Sequence, residues 1–190
     1  MEDNIEMEDN EYLDILNEQG EKVGKFDTRE NVHKNGFIHA EVSAVIYTED
    51  KRVLLQKRNS SKKTYAGAWS VTGGHVLSGE DNKDAIIREV KEELNLDVKN
   101  QDIEYIDTYH SINEKESIIN NKFMSVFLVR ICNEDINKIK IQKDELEEIK
   151  FITINELKEL VNKDIKGYKF PKKMEKIFEK LGCEKNDNNI

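Results

Sequence analysis

Covalent staples and chain breakers are scarce in this sequence. Its 190 residues include one proline, Pro171, and two cysteines, Cys132 and Cys183, placed neither as a disulfide framework nor at zinc-ligand spacing. Stability must then come from an ordinary buried core, which a chain of this length can build, and the thiols are expected reduced, as in the cytosol. Long apolar runs are missing too, so no transmembrane helix is expected. The opening MEDNIEMEDN lacks the basic and apolar regions of a secretory signal and reads as a frayed, disordered acidic terminus over 1–10. Cations are outnumbered, 30 Lys and Arg against 39 Asp and Glu, and the net charge of −9 argues against nucleic acid as the main partner. The expectation is a soluble, cytoplasmic chain with one domain over 11–182, a disordered tail over 183–190, a small-molecule ligand and no membrane partner. A homodimer is compatible with the sequence, though nothing in it argues for one.

What is present alternates between strand and helix signals. Glu11 to Phe26 reads as a hairpin turning at Asn17 to Gly20 and adding edge strands to a sheet. Ile38 to Tyr47 and Val53 to Gln56 form a second hairpin around the polar turn Thr48 to Arg52. Lys57, Arg58, Lys62 and Lys63 then gather positive charge ahead of a glycine-rich loop. Tyr65 and Trp69 share that segment, and Trp69 suits the core better than a stacking platform. Ile103 to Tyr109 and Lys122 to Ile131 read as strands separated by a polar loop through Asn113 to Glu116, and 133–143 as polar and irregular. The acidic run Asp144 to Glu148 leads through Ile149 to Ile152 into a helix capped by Thr153 or Asn155, and Pro171 opens a last helix running through Leu181 to Gly182. That order alone supports a mixed α and β domain and no more.

The chemistry concentrates in Gly74 to Leu96, GHVLSGEDNKDAIIREVKEELNL. Its second half is a helix by composition: Asp81 or Asn82 caps the start, Ala85, Ile86, Val90 and Leu94 make an apolar stripe, and Asn95 ends it in the left-handed conformation. Glu89, Glu92 and Glu93 fall on one edge of that helix. Like charges so spaced cost an isolated helix roughly 0.2–0.5 kcal/mol per pair. Arg88, at four-residue spacing from Asp84 and Glu92, offsets part of the repulsion, and a hard divalent cation with carboxylate ligands would offset the rest. The first half is a loop between Gly73-Gly74 and Ser78-Gly79, suited to close backbone approach. The two halves together read as a metal and phosphate site.

The full pattern, Gly74, five residues, Glu80, seven residues, Arg88-Glu89-Val90, one residue, Glu92-Glu93, one residue, Asn95-Leu96, resembles the signature of the Nudix hydrolases. Asn95 stands where that family has glycine; asparagine is the residue that next best tolerates positive φ. The resemblance spans roughly Tyr12 to Phe151, but its specific part is this box. It implies an α/β/α sandwich with a mixed β-sheet and a loop-helix-loop catalytic box. It also implies hydrolysis of a diphosphate linkage, in a nucleoside diphosphate derivative or other organic diphosphate, with Mg2+ or Mn2+ as cofactor. Glu89, Glu92, Glu93 and the Gly74 carbonyl are then the metal ligands. Arg88 holds a ligating carboxylate and Glu80 supports Arg88. Glu89, Glu92, Glu145 or Glu148 serves as general base. Lys57, Arg58, Tyr65 and His75 are the candidate substrate contacts.

The run from His33 through His39, with Lys57-Arg58, Gly67-x-Trp69 and Gly74-His75, is similar to the branch that includes the isopentenyl diphosphate isomerases, in which His39 and His75 correspond to metal-binding histidines. Isomerisation is therefore the first alternative, and a silent nucleotide-binding sensor the second. Three features oppose the isomerase reading. Gly73 stands where that family has its cysteine. The strand start Asn120-Asn121-Lys122-Phe123 lacks the family's glutamates. Both Arg88-Glu89 and Glu92-Glu93 are intact. The proline that ADP-ribose-cleaving members often carry beyond the box is Ser111 here.

Overall fold

The computed structural model describes residues 11–62, 64–115 and 118–182. Lys63, Cys183, Glu116 and the two terminal stretches that the sequence marks as disordered lie outside them. In chain order the elements are β1 (Tyr12–Leu16), β2 (Lys22–Thr28), α1 (Arg29–Asn35), β3 (His39–Thr48), β4 (Arg52–Arg58), β5 (Trp69–Ser70), β6 (Thr72–His75) and α2 (Asn82–Leu94). They continue with β7 (Ile103–Lys115), β8 (Ile118–Ile131), β9 (Leu146–Thr153), α3 (Ile154–Asn162), β10 (Tyr168–Lys169) and α4 (Met174–Lys180).

Eight strands make one mixed sheet in the order β10-β5-β4-β3-β8-β7, with β6 also on β3 and β9 also on β4. β3 runs parallel to β8 and antiparallel to β4 and β6. Because side chains alternate along a strand, β3 serves two cores. Val42, Ala44 and Ile46 pack with Ala85, Ile86, Val90 and Leu94 of α2. Val45 joins Val53 and Leu55 against Leu157 of α3 and Ile177 and Phe178 of α4. The outcome is a curled mixed sheet between helices, the sandwich the family resemblance implies.

The expected box helix is present with its expected ends. Asp81 caps α2 by accepting from the backbone N–H groups of Lys83 and Asp84, and Asn95 closes it at φ 57°. Thr153 caps α3 in a reciprocal capping box with Glu156.

Three expectations about elements need correction. The N-terminal hairpin does not extend the main sheet: β1 and β2 form a separate two-stranded sheet, whose turn Asn17 organises by accepting from the backbone of Gln19 and Glu21. The strands after the box continue through Asn113 and Asn120, which pair with each other, so the polar segment expected as a loop is mostly strand. The ladder's cross-strand pairs override its low β-propensity. Finally, Pro171 does not open the last helix. α4 begins at Met174 behind Lys173, whose φ of 73° is incompatible with a continuous helix from Pro171.

Asn95 adopts a conformation that costs a residue with a Cβ roughly 1–2 kcal/mol. Urea unfolding of Asn95→Ala should therefore show a loss of about 1 kcal/mol, with Asn95→Gly at or above wild-type stability.

Candidate active site

The box begins where β6 leaves the sheet, and the small N-terminal sheet grips its loop. Ser78 Oγ and Gly79 N donate to the two carboxylate oxygens of Asp14 at 2.8 and 3.0 Å, Ser78 N donates to the Tyr12 carbonyl at 2.7 Å, and Leu13 bridges Leu77. Lys22 pairs with Asp14 at 2.8 Å and donates to the Glu80 carbonyl at 3.0 Å. Burial opposes ionisation of Asp14, but Lys22 and the loop donors outweigh it and hold the carboxyl below its ordinary range.

Arg88 organises the carboxylates. Its Nε and Nη2 donate to the two oxygens of Glu80, both at 3.0 Å, a bidentate fork; Nη2 also donates to the His75 carbonyl at 2.8 Å, and Nη1 to Glu89 at 2.8 Å and Glu92 at 3.2 Å. Glu80 in turn accepts from Leu77 N at 3.0 Å.

The three box glutamates are not equivalent. Glu93 is buried and Glu89 nearly so, whereas the Glu92 side chain is 53% exposed and leans on Arg88. Gln56 Nε2 donates to Glu93 at 2.8 Å and is itself oriented by Thr72 Oγ1, which donates to Gln56 Oε1 at 2.9 Å. A Cβ on Gly74 would lie 2.3 Å from Glu89 Oε1, so only glycine leaves room for that carboxylate. Burial pushes Glu89 up to about 7, against the pull of Arg88, and burial with the neighbouring Glu89 charge pushes Glu93 up to about 8. Two desolvated carboxylates, the charge of Glu89 raising the pKa of Glu93 and Glu89 itself packed where a Cβ on Gly74 would displace it, fit a hard divalent cation with oxygen ligands.

Not every residue singled out in the sequence joins this group. Arg58 lies on the α2 face with Leu54 and Gln56, where it donates to Glu145 at 3.2 Å; Lys62 also pairs with Glu145. Lys57 shares the opposite face with Val53 and Leu55 and pairs with Glu147 at 3.0 Å. Glu148, exposed, alternates onto that same far face with Lys150 and Ile152. Tyr65 is 57% exposed in the loop before β5. His75 offers its carbonyl to Arg88, but its ring lies through the sheet from Glu89, because the facing pairs Val42–Gly74 and Glu41–His75 point to opposite sides.

There the His75 ring meets His33, His39 and Glu41. Glu41 accepts from Asn120 Nδ2 at 2.7 Å and pairs with Lys122. Burial keeps both His33, at about 4, and His75 neutral near pH 7. Gln56 and Glu41 were not identified as site residues from the sequence. Each is a polar residue inside an apolar strand run, and that was the available signal.

The chain matches the NUDIX domain family over residues 38–173 and belongs to it. It is 29% identical over 83% of its length to Nudix hydrolase 3 of Arabidopsis thaliana, of which it spans 21%. An uncharacterised Nudix hydrolase of Clostridium acetobutylicum is 30% identical, over 83% of this chain and 77% of that protein. An isopentenyl-diphosphate isomerase of Escherichia coli is 26% identical, over 72% and 73%. Among solved structures, a Deinococcus radiodurans protein superposes with a TM-score of 0.61 at 21% identity, covering 80% of this chain and 90% of that one. Among the described residues no helix is long and apolar enough to cross a membrane.

A carboxyl whose folded pKa exceeds its unfolded value binds more protons in the native state, so its contribution to stability falls as pH rises through that interval. Chelator-treated protein should therefore lose stability between about pH 5 and 8 as Glu89 and Glu93 ionise. Added Mg2+ should raise Tm more at pH 8 than at pH 6. Thermal unfolding across that range with and without the ion checks both.

Proposed function

We propose that the chain hydrolyses the phosphoanhydride bond of an organic diphosphate, using Mg2+ or Mn2+ held by Glu89 and Glu93, with Glu92 and the Gly74 carbonyl completing the ligand set. The observation that carries this reading is the pair of desolvated carboxylates on one helix, Glu89 against Gly74 and held by Arg88, and Glu93 held by Gln56. A divalent ion so held neutralises phosphate oxygens and makes water a better nucleophile.

The protein's own groups supply the rest. Arg88 fixes Glu89 and ties helix to strand through the His75 carbonyl, so the carboxylate needs no reorganisation at the moment of reaction. Arg58 and Lys62 are the cations suited to take phosphate oxygens. In doing so they would release Glu145, their present partner, to act as general base. Glu145 is preferred to Glu148 for that role because it shares the α2 face.

An isomerase reading has a steric argument against it beyond the missing cysteine. A Cβ at Gly73 would lie 2.3 Å from the Val42 carbonyl oxygen and 3.0 Å from Ser43 Cα, so this backbone excludes any side chain there.

Glu93→Gln and Glu89→Gln should each lower kcat by roughly 10²-fold or more on a diphosphate panel assayed for phosphate or monophosphate release. Glu145→Gln should fall well below Glu148→Gln, which should stay near wild type. Wild-type turnover in both box variants would remove the proposed site. An untouched panel combined with strong ligand-induced thermal stabilisation would favour the sensor. Incubation with isopentenyl diphosphate and metal in deuterated water should give neither dimethylallyl product nor deuterium uptake.

A further inference from the structure

We infer that Asp14 and Lys22, on the small N-terminal sheet, are positioning residues for the carboxylate site: they fix the turn that carries Glu80 and so, through Arg88, the pose of Glu89. This role rests on the hydrolase reading. Leu77 to Glu80 form a tight turn, closed by Glu80 N donating to the Leu77 carbonyl at 3.0 Å, with Gly79 at φ 84° where such a turn takes a left-handed residue. Every backbone N–H of that turn has an acceptor. Leu77 N donates to the Glu80 carboxylate, Ser78 N to the Tyr12 carbonyl and Gly79 N to the Asp14 carboxylate. The acceptors for Ser78 and Gly79 therefore both come from β1, as does the acceptor for the Ser78 hydroxyl.

Lys22 holds the same turn at its far end. Its Nζ donates to the Glu80 carbonyl at 3.0 Å and pairs with Asp14 at 2.8 Å. The ion pair alone contributes little, because the Lys22 side chain is 51% exposed. Its effect lies in the geometry: one ammonium bridges the carboxylate of β1 and the carbonyl of the residue that grips Arg88. Glu80 commits both carboxylate oxygens to Arg88, and Arg88 Nη1 donates to Glu89 Oε1 at 2.8 Å. A displacement of the turn is thus passed through a planar fork, which tolerates little change in angle, to a carboxylate packed against Gly74.

The hairpin can act this way only if it is itself fixed, since a two-stranded sheet is marginal alone. Leu13 and Leu16 are buried. Leu16 N donates to the Ile38 carbonyl at 2.7 Å, at the entry to β3, and Arg29 N to the Glu11 carbonyl at 2.8 Å. The support therefore runs from β3 through β1 to the turn, and from the turn through Arg88 to the box helix. Outer partners of this kind set the pose of a metal ligand without touching the ion.

The test is Mn2+ binding to the full chain, read from the electron paramagnetic resonance of the free ion, together with kcat and KM on the diphosphate panel. Direct partners of metal ligands cost about 10–100-fold when lost, and Asp14 and Lys22 stand one step further out. Asp14→Asn and Lys22→Met should each weaken Mn2+ binding at least about 3-fold and lower kcat about 10-fold, with KM changed less than about 2-fold. Lys22→Arg, which keeps a donor for both partners, should restore most of each loss. In a Glu80→Gln background, Asp14→Asn should add less than about 2-fold, since both changes act through one fork. Thr153→Ala removes the α3 cap on the opposite face of the sheet and should lower Tm while leaving Mn2+ affinity unchanged. Full additivity with Glu80→Gln, or equal weakening in Thr153→Ala, would overturn the assignment. Wild-type Mn2+ affinity and turnover in both Asp14→Asn and Lys22→Met would remove the positioning role and leave the hydrolase standing. A wild-type protein that cleaves nothing on the panel would remove the hydrolase, and the Mn2+ affinities of the variants would still decide the positioning role.

Discussion

The guanidinium of Arg88 is the joint on which this site depends. One planar fork binds both oxygens of Glu80 in the loop, one oxygen of Glu89 a residue away on the helix, and the carbonyl of His75 at the end of β6. Burial works against its charge, and the Glu80 and Glu89 carboxylates more than offset that, so it remains cationic. Three backbone segments are thereby fixed relative to a carboxylate that would otherwise repel its neighbours. A lysine could not do this, since a point charge cannot satisfy a bidentate partner and a carbonyl at once. The cation also explains why Glu92 remains near solvent: its tie to Arg88 runs along the outside of the helix.

β3 divides the remaining chemistry. Its even-numbered residues Val42 and Ala44 face α2, and its odd-numbered residues His39 and Glu41 face the other way. Neighbouring strands follow the same parity, so Gly74 belongs to the carboxylate side and His75 to the imidazole side although they are adjacent. One sheet thus keeps hard oxygen donors apart from nitrogen donors by nothing more than the pleat. The Arg88 contact to the His75 carbonyl ties the box helix to the strand that carries the imidazole.

This division also accounts for what could be read from the sequence. The box helix, a cap at Asp81 or Asn82 that the structure gives to Asp81, its left-handed close at Asn95 and its apolar stripe were legible because they are local, governed by helix spacing and end chemistry. The family and the sandwich fold followed from that one stretch. What was not legible depends on register. Alternation pairs Arg58 with Gln56, but nothing in the sequence says which face of that strand meets the box helix or that the strand reaches Arg58, and the irregular pairing between Lys57 and Arg58 shifts the acidic run, so that Glu145 reaches the box side and Glu148 does not. The N-terminal hairpin was recognisable as a hairpin, but its attachment to the loop through Asp14 is a contact across 64 positions that no local pattern encodes. The histidines could be matched to an isomerase-like pattern, but Glu41 could not, and it is the pairing of Glu41 with His75 and the placement of α1 that bring the four side chains together.

The same contacts make the site's stability conditional. Glu89 and Glu93 sit in a desolvated pocket with pKa values raised by a few units, which at about 1.4 kcal/mol per unit amounts to a few kcal/mol of ionisation penalty for the metal-free protein near neutral pH. That is a sizeable fraction of the net stability of an ordinary domain. The chain meets it by over-determining the frame around the pair: the Arg88 fork on one side, the Thr72–Gln56–Glu93 relay on another, and the Asp14–Lys22 clamp on the loop. Each restrains a backbone segment or a side chain rather than neutralising the two carboxylates fully, so the site keeps its shape while leaving both carboxylates able to ionise onto a cation. A frame that neutralised the pair completely would be more stable and would bind no ion.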